Sequence, residues 1–184
     1  MQTQYSKNPA PWHELARSGQ VAPRVYSRFM VEVAETVRAL RDERRWSQEQ
    51  LAEASGLGRR LIAGLEIGEH EPTLGTLTAL ARGLGVPVRA LFPRRPAGAR
   101  PPMEGRDESS FANRMRAARA AAGEIGQVTL AERAGLAQSA ISLWESRGKR
   151  SLRDRTDLVL AKTVLAVAQV LGVDPVWLAY GPID

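Results

Sequence analysis

The chain has 184 residues, 43% of them hydrophobic and 25% charged, which excludes a disordered chain and fits one or two globular domains. It has no cysteine, so disulfides and thiolate metal sites are excluded; with 5% aromatic residues, its cores must be built from Leu, Val, Ile and Ala, which suits small helical domains. The formal charge of +6 comes almost wholly from arginine, and fits a polyanionic partner (nucleic acid or an anionic membrane) as well as it fits GC-rich coding.

Residues 1–23 hold Pro9, Pro11 and Pro23 among mixed polar residues and read as a tail without a clear period. The opening MQTQYSKNPAPW lacks the charged-then-apolar pattern of a signal peptide, and no apolar run approaches the ~18 residues needed to span a bilayer. A cytoplasmic protein without a membrane partner is expected.

Residues 24–92 read as a series of short helices. From Phe29 to Arg44, Met30, Val33, Ala34, Val37 and Leu40 fall on one helical face. Ser47 is placed as an N-cap, with Gln50 three residues on completing a capping box. The helix QEQLAEA that follows is ended by Gly56, where a residue without a β-carbon takes the left-handed conformation of a tight turn. A second short helix, from about Arg59 to Ile67, closes at Gly68. Two short helices crossing steeply through a glycine turn form a helix-turn-helix.

The stretch SQEQLAEASGLGRRLIAGLEIG resembles the phage repressor/Cro (Xre-type) family, and Leu51, Ala52, Gly56, Leu57, Ile62 and Leu65 match its structural positions. The pattern continues in HEPTLGTLTALARGLGVPVRALF: Thr73 caps a fourth helix, and Val86-Pro87 opens a short fifth that ends near Phe92. The resemblance implies that the second helix of the motif enters the major groove with its N-terminal residues nearest the bases. Those are Arg59, Arg60 and Leu61. Arginine can grip O6 and N7 of guanine, or a phosphate; Leu61 can touch a thymine methyl or shield the helix stem. Gln48 matches a position that holds the DNA backbone. Gly64 departs from the family, where a longer side chain often reaches a base, so readout is expected to be confined to the first turn.

Residues 93–110, PRRPAGARPPMEGRDESS, hold four of the eleven prolines and almost no apolar side chains, and read as a linker. A flexible linker of this length spans about 25 Å on average and stretches to about 60 Å, enough for half-sites one helical turn apart.

Residues 111–184 repeat the pattern, with Ala131 in the place of Ala52. A helix from Phe111 to Ala122 carries Arg114, Arg116 and Arg119, and QVTLAERAGLAQSAISLWE follows. Leu130, Ala131, Gly135, Leu136, Ile141 and Trp144 take the six structural positions. The reading residues are then Gln138, Ser139 and, one turn on, Ser142, with Leu143 beside it; Gln can bind adenine in bidentate fashion. Gln127 matches Gln48 as a phosphate contact, and the basic run SRGKRSLRDR adds Lys149 and Arg150 as phosphate contacts.

The span from Trp144 to Gly172 is eight residues longer than that from Leu65 to Gly85. The extra residues lie before or within the fourth helix, which is expected to be extended and is apolar nearly all round. That points to burial on more than one side: a homodimer interface through residues 158–171, or packing on its own domain or the tail. Asp174 and Pro175 open a closing helix. With Asp184 as the last residue, no sensor or self-cleaving domain is expected.

The expected architecture is all-α, with two tandem five-helix repressor-like domains. The expected function is sequence-specific binding of a double-stranded DNA operator by a transcriptional regulator, a repressor rather than an activator that would contact RNA polymerase. The alternative keeps DNA binding in the first domain and makes the second a protein-interaction or dimerisation module, as in an antitoxin or antiactivator. His13 and His70 have no ligand spacing and no nucleophile beside them, so no catalytic residue, metal or cofactor is expected.

Overall fold

The computed structural model describes residues 23–92, 109–147 and 158–182, and every regular element among them is helical. The tail, most of the linker, and the stretch 148–157 with Lys149 and Arg150 lie outside the described residues.

Helix α1 (Pro23–Glu43) starts at a proline, six residues before the apolar stripe. It buries Phe29, Met30, Val33, Ala34 and Val37. Helix α2 (Gln48–Ser55) opens at the expected box: Ser47 Oγ accepts from the Gln50 N–H at 3.2 Å, and Gln50 Oε1 accepts from the Ser47 N–H at 2.7 Å. Such a cap stabilises a helix by about 1 kcal/mol. Gly56, at φ +69°, turns the chain into α3 (Arg59–Glu66). Thr73 caps α4 (Leu74–Leu84), and a 3-10 turn over Val88–Leu91 stands where a fifth helix is expected. Helix α4 lies backbone to backbone on α2. A β-carbon at Gly83 would stand 2.8 Å from Ser55 Cα and N, so only glycine permits that approach.

A second group of helices follows in the same order: α5 (Phe111–Ala121), α6 (Gln127–Ala134), α7 (Gln138–Arg147), α8 (Ala161–Leu171) and α9 (Pro175–Tyr180). Leu130, Ala131 and Ile141 are buried as Leu51, Ala52 and Ile62 are, and Gly135 makes the α6–α7 turn at φ +66°. Trp144 meets Phe111 edge to face at 6.0 Å. Asp174 Oδ1 accepts from the N–H groups of Val176 and Trp177, capping α9 with Pro175 at its first position.

Two expectations about residues 158–171 are corrected. The fourth helix is not extended: α8 has 11 residues, as α4 does, and the extra length precedes it. Nor does its apolar surface await a second chain. Ala161, Val164, Leu165, Ala166, Val167, Ala168 and Leu171 are all buried, and they share one apolar core with Phe29, Leu74 and Phe92 of the first group. Helix α8 packs on α1 as well as on α5, α6 and α9. An all-round apolar helix is a covered helix; here the same chain supplies the cover.

The seam between the groups carries specific contacts. Phe92 meets Tyr180 edge to face at 6.2 Å, and the Tyr180 hydroxyl donates to the Leu74 carbonyl at 3.0 Å. Burial pushes the Tyr180 phenol up to about 12, against a smaller opposing hydrogen bond with Thr78. Arg89 pairs with Asp174 at 3.1 Å, and Lys162 with Glu71. The distance between the groups is therefore set by packing and not by the reach of a flexible linker.

Candidate nucleic-acid interface

A clamp holds α2 and α3 at their crossing. Arg41, at the end of α1, donates through Nε to Glu66 Oε1 at 2.7 Å and through Nη2 to Oε2 at 3.0 Å. Gln48 Nε2, at the start of α2, donates to the same Oε2 at 2.9 Å, and Arg41 Nη1 donates to the Trp46 carbonyl at 2.7 Å. The start of α2 is thus tied to the end of α3 and the end of α1. Only 4% of the Glu66 side chain is exposed. Burial works to raise its carboxyl, but the hydrogen bonds from Arg41 and Gln48 outweigh that and hold it below the usual carboxylate range. The same pairing raises the Arg41 guanidinium.

The second group repeats the clamp atom for atom. Arg119 Nε and Nη2 donate to Glu145 Oε1 and Oε2 at 2.6 and 3.0 Å, Gln127 Nε2 donates to Oε2 at 2.7 Å, and Arg119 Nη1 donates to the Ile125 carbonyl. The sequence reading assigns this role to none of Arg41, Glu66, Arg119 and Glu145. The signal was present in it: the Gln–Glu separation is 18 residues in both groups.

The clamp leaves the N-terminal turns of α3 and α7 on the surface. Arg59 and Arg60 are exposed side by side, and no side chain caps α3 at Gly58. Arg59 Nε rests 3.5 Å from the Glu49 carboxylate, itself exposed. In the second group Gln138 and Ser139 are exposed, Ser142 is half-buried, and Gln138 Nε2 donates to Gln127 Oε1 at 3.4 Å. Hydrogen bonds therefore run from the Glu145 carboxylate through the Gln127 amide to the Gln138 amide, the last of them long and exposed. Val128 and Leu143 are exposed on the same two helices, at 56% and 48%.

Some expected site residues are placed differently from the sequence reading. Leu61 is half-buried, not freely exposed. Gly64 is buried, and a β-carbon there would lie 2.6 Å from the ring of His70, whose loop folds back onto the Gly64 carbonyl. Gln48 and Gln127 each spend one amide donor on a buried carboxylate, which leaves a second N–H for another acceptor. Not all of the basic charge faces outward. Arg114 is buried and donates to the Leu178 and Ala179 carbonyls at the end of α9, at 2.9 and 2.7 Å, while Arg116 bonds to Ala112 and Asn113. Among the described residues no cluster of side chains suits a metal ion, and no helix is long and apolar enough to cross a membrane.

A family model described as helix-turn-helix matches residues 37–91, from the middle of α1 to the 3-10 turn. The control protein C.SmaI of Serratia marcescens is 46% identical over 63 residues, a match covering 34% of this chain and 75% of that protein. The immunity repressor protein of Bacillus phage phi105 is 41% identical over 59 residues, covering 32% of this chain and 41% of the repressor. The HTH-type transcriptional regulator SutR of Escherichia coli is 42% identical over 52 residues, covering 28% of this chain and 29% of SutR. The chain thus spans less than half the length of the last two relatives. No solved structure matches significantly. A buried apolar frame, a glycine turn, a second helix with its first turn exposed and a relative covered over three quarters of its length converge: the chain belongs to the helix-turn-helix family of the phage-repressor (Xre) type.

Proposed function

We propose that the protein is a transcriptional regulator, a repressor rather than an activator, that binds double-stranded DNA and reads it with two unlike helices, α3 and α7. The observation that carries this reading is the duplicated clamp. In both groups a part-buried Arg–Glu pair and a glutamine tie one short helix across another, and the first turn of the second helix is exposed. That is the geometry a reading helix needs, rigid at its base and bare at its tip. Arg59 and Arg60 suit guanine O6 and N7. The Gln138 amide, oriented by Gln127, keeps a free N–H and its oxygen for adenine N7 and N6. Gln48, Gln127 and the uncapped N-terminus of α3 supply donors for phosphate, with Lys149 and Arg150 as further phosphate contacts. The phage relative is named as a repressor and SutR as a transcriptional regulator, which supports the same function here.

The test is a binding titration on a duplex selected from a random pool. Arg59→Ala with Arg60→Ala should abolish specific binding, and binding should fall steeply with salt. Unchanged affinity with a flat salt slope overturns the proposal.

A second reading is favoured by Val128 and Leu143, two exposed apolar side chains on α6 and α7. It makes the second group a protein-interaction module beside a DNA-binding first group. Gln138→Ala with Ser139→Ala then leaves DNA binding intact, whereas the first reading requires a loss.

A further inference from the structure

The seam between the two groups has a symmetry that neither group shows alone. Thr73 and Leu160 form an isolated antiparallel bridge. Each is the N-cap of an 11-residue helix, α4 and α8, and each helix ends at a left-handed glycine, Gly85 and Gly172. Aligning the two helices pairs Thr73 with Leu160, Leu74 with Ala161 and Pro72 with Val159. The bridge has two hydrogen bonds: the Leu74 N–H donates to the Val159 carbonyl at 2.8 Å, and the Ala161 N–H donates to the Pro72 carbonyl at 3.0 Å. Exchanging the groups turns one bond into the other. Equivalent residues therefore face each other across a local two-fold axis, the arrangement of an isologous dimer interface.

The contacts that flank this axis are not exchanged. Lys162 meets Glu71, but the residues at the corresponding places are Gly75 and Leu158. Arg89 meets Asp174, where the counterparts are Val176 and Pro87. Tyr180 bonds to the Leu74 carbonyl, and its own counterpart is Pro93. These contacts form only between a first group and a second group. Pairing two first groups from different chains would lose them.

We infer that one chain is a complete pseudo-dimer, and that its DNA ligand is a single inverted pair of unlike half-sites. This rests on the reading that both groups bind DNA. A two-fold axis turns the second reading helix round relative to the first, so its half-site runs in the opposite sense. The packed seam fixes the spacing between the half-sites. The half-sites differ because Arg59 and Arg60 are replaced by Gln138 and Ser139. One chain then occupies a site at which the family's single-motif members would need two.

The experiment is selection of the full chain on a randomised duplex pool, followed by titration on variants of the recovered site and measurement of chains per duplex by sedimentation. The expected site has two different half-sites, inverted, at one spacing, and holds one chain. Reversing one half-site, or inserting five base pairs between them, should weaken binding by about 100-fold, the gain that linkage of two contacts provides. Specific binding to direct repeats, tolerance of any spacing, or two chains on a symmetric palindrome would overturn the inference and leave DNA binding standing. Recovery of no specific sequence would remove the proposed function, and this inference with it.

Discussion

The two helical groups share a skeleton and differ on their surfaces. Both carry the Arg–Glu–Gln clamp, the left-handed glycine between the crossing helices, and an 11-residue helix after them. At the first turn of the second crossing helix the first group has Arg59 and Arg60, with Glu49 beside Arg59; the second has Gln138 and Ser139, with Val128 in the place of Glu49. The family model matches residues 37–91, within the first group. The second group has the same buried polar contacts at its crossing with different side chains on its surface. The contacts that hold the crossing and the residues it presents are thus separable.

The sharpest way to break the comparison is to remove the arginine from each clamp. Arg41→Ala and Arg119→Ala each leave a nearly buried carboxylate without its partner, and losing one member of a buried pair costs about 3–5 kcal/mol. Urea denaturation should show a loss of this size for both variants. If Arg119→Ala costs little, the second clamp is not holding its crossing, and the likeness between the groups is only geometric.

The clamp also marks where the sequence stopped being legible. Apolar spacing, the Ser47–Gln50 box, the caps Thr73 and Asp174 and the turn glycines all act within a few residues, and each was read correctly from local pattern. The candidate reading residues Arg59, Arg60, Gln138 and Ser139 are all exposed, as a contact with DNA would require. Arg41 and Glu66 lie 25 residues apart, and a lone arginine at a helix end looks like any solvated charge until the fold brings its partner in. Helix α8 shows the complementary limit. Its composition told that it was buried on several sides, but periodicity reports burial without saying which surface does the burying. The first group covers it. The cover over Gly64 is hidden from local pattern for a similar reason: the His70 ring, from the loop beyond, lies against it.

Alkaline pH probes the seam between the groups. A buried phenol whose pKa is raised in the folded state adds stability that is fully present below its unfolded value near 10. That stability is lost as pH rises toward about 12. The shift corresponds to about 2–3 kcal/mol at most. Unfolding free energy of the wild-type chain should therefore fall between pH 10 and 12, and Tyr180→Phe should flatten the fall. An equal fall in both proteins would mean that Tyr180 does not sense its burial at the seam. At the acid end the sign reverses. Glu66, with its pKa lowered, gives up its contribution only as pH drops below the usual carboxylate range.

A finer comparison sets one reader against another. Each good bidentate contact contributes about 1–3 kcal/mol of base discrimination. Arg59→Ala and Gln138→Ala should each lower affinity for the selected site within that range, each relaxing preference at a different base pair. A change at phosphate alone would instead weaken binding evenly across sequences and reduce the salt slope by about 1. Titrations on single-base variants of the site at two salt concentrations separate the outcomes. If the Gln138 variant binds as tightly as the wild type, the second group is not reading DNA.

The smallest expected effect concerns Glu49. Its carboxylate lies 3.5 Å from Arg59 Nε with both side chains largely exposed, so the pair adds little to stability. Its charge nevertheless stands on the face proposed to meet phosphate, and it holds Arg59 away from a base until the contact is broken. Glu49→Gln removes both effects and should tighten DNA binding by about two- to fivefold at low salt. The gain should shrink as salt screens the charge. The second group offers the control, because Val128 occupies the matching place: Val128→Glu should weaken binding by a similar factor, although it forms no ion pair with Gln138. If Glu49→Gln tightens binding and Val128→Glu has no effect, the two faces do not meet the duplex alike. The surface difference between the groups would then extend beyond their reading residues.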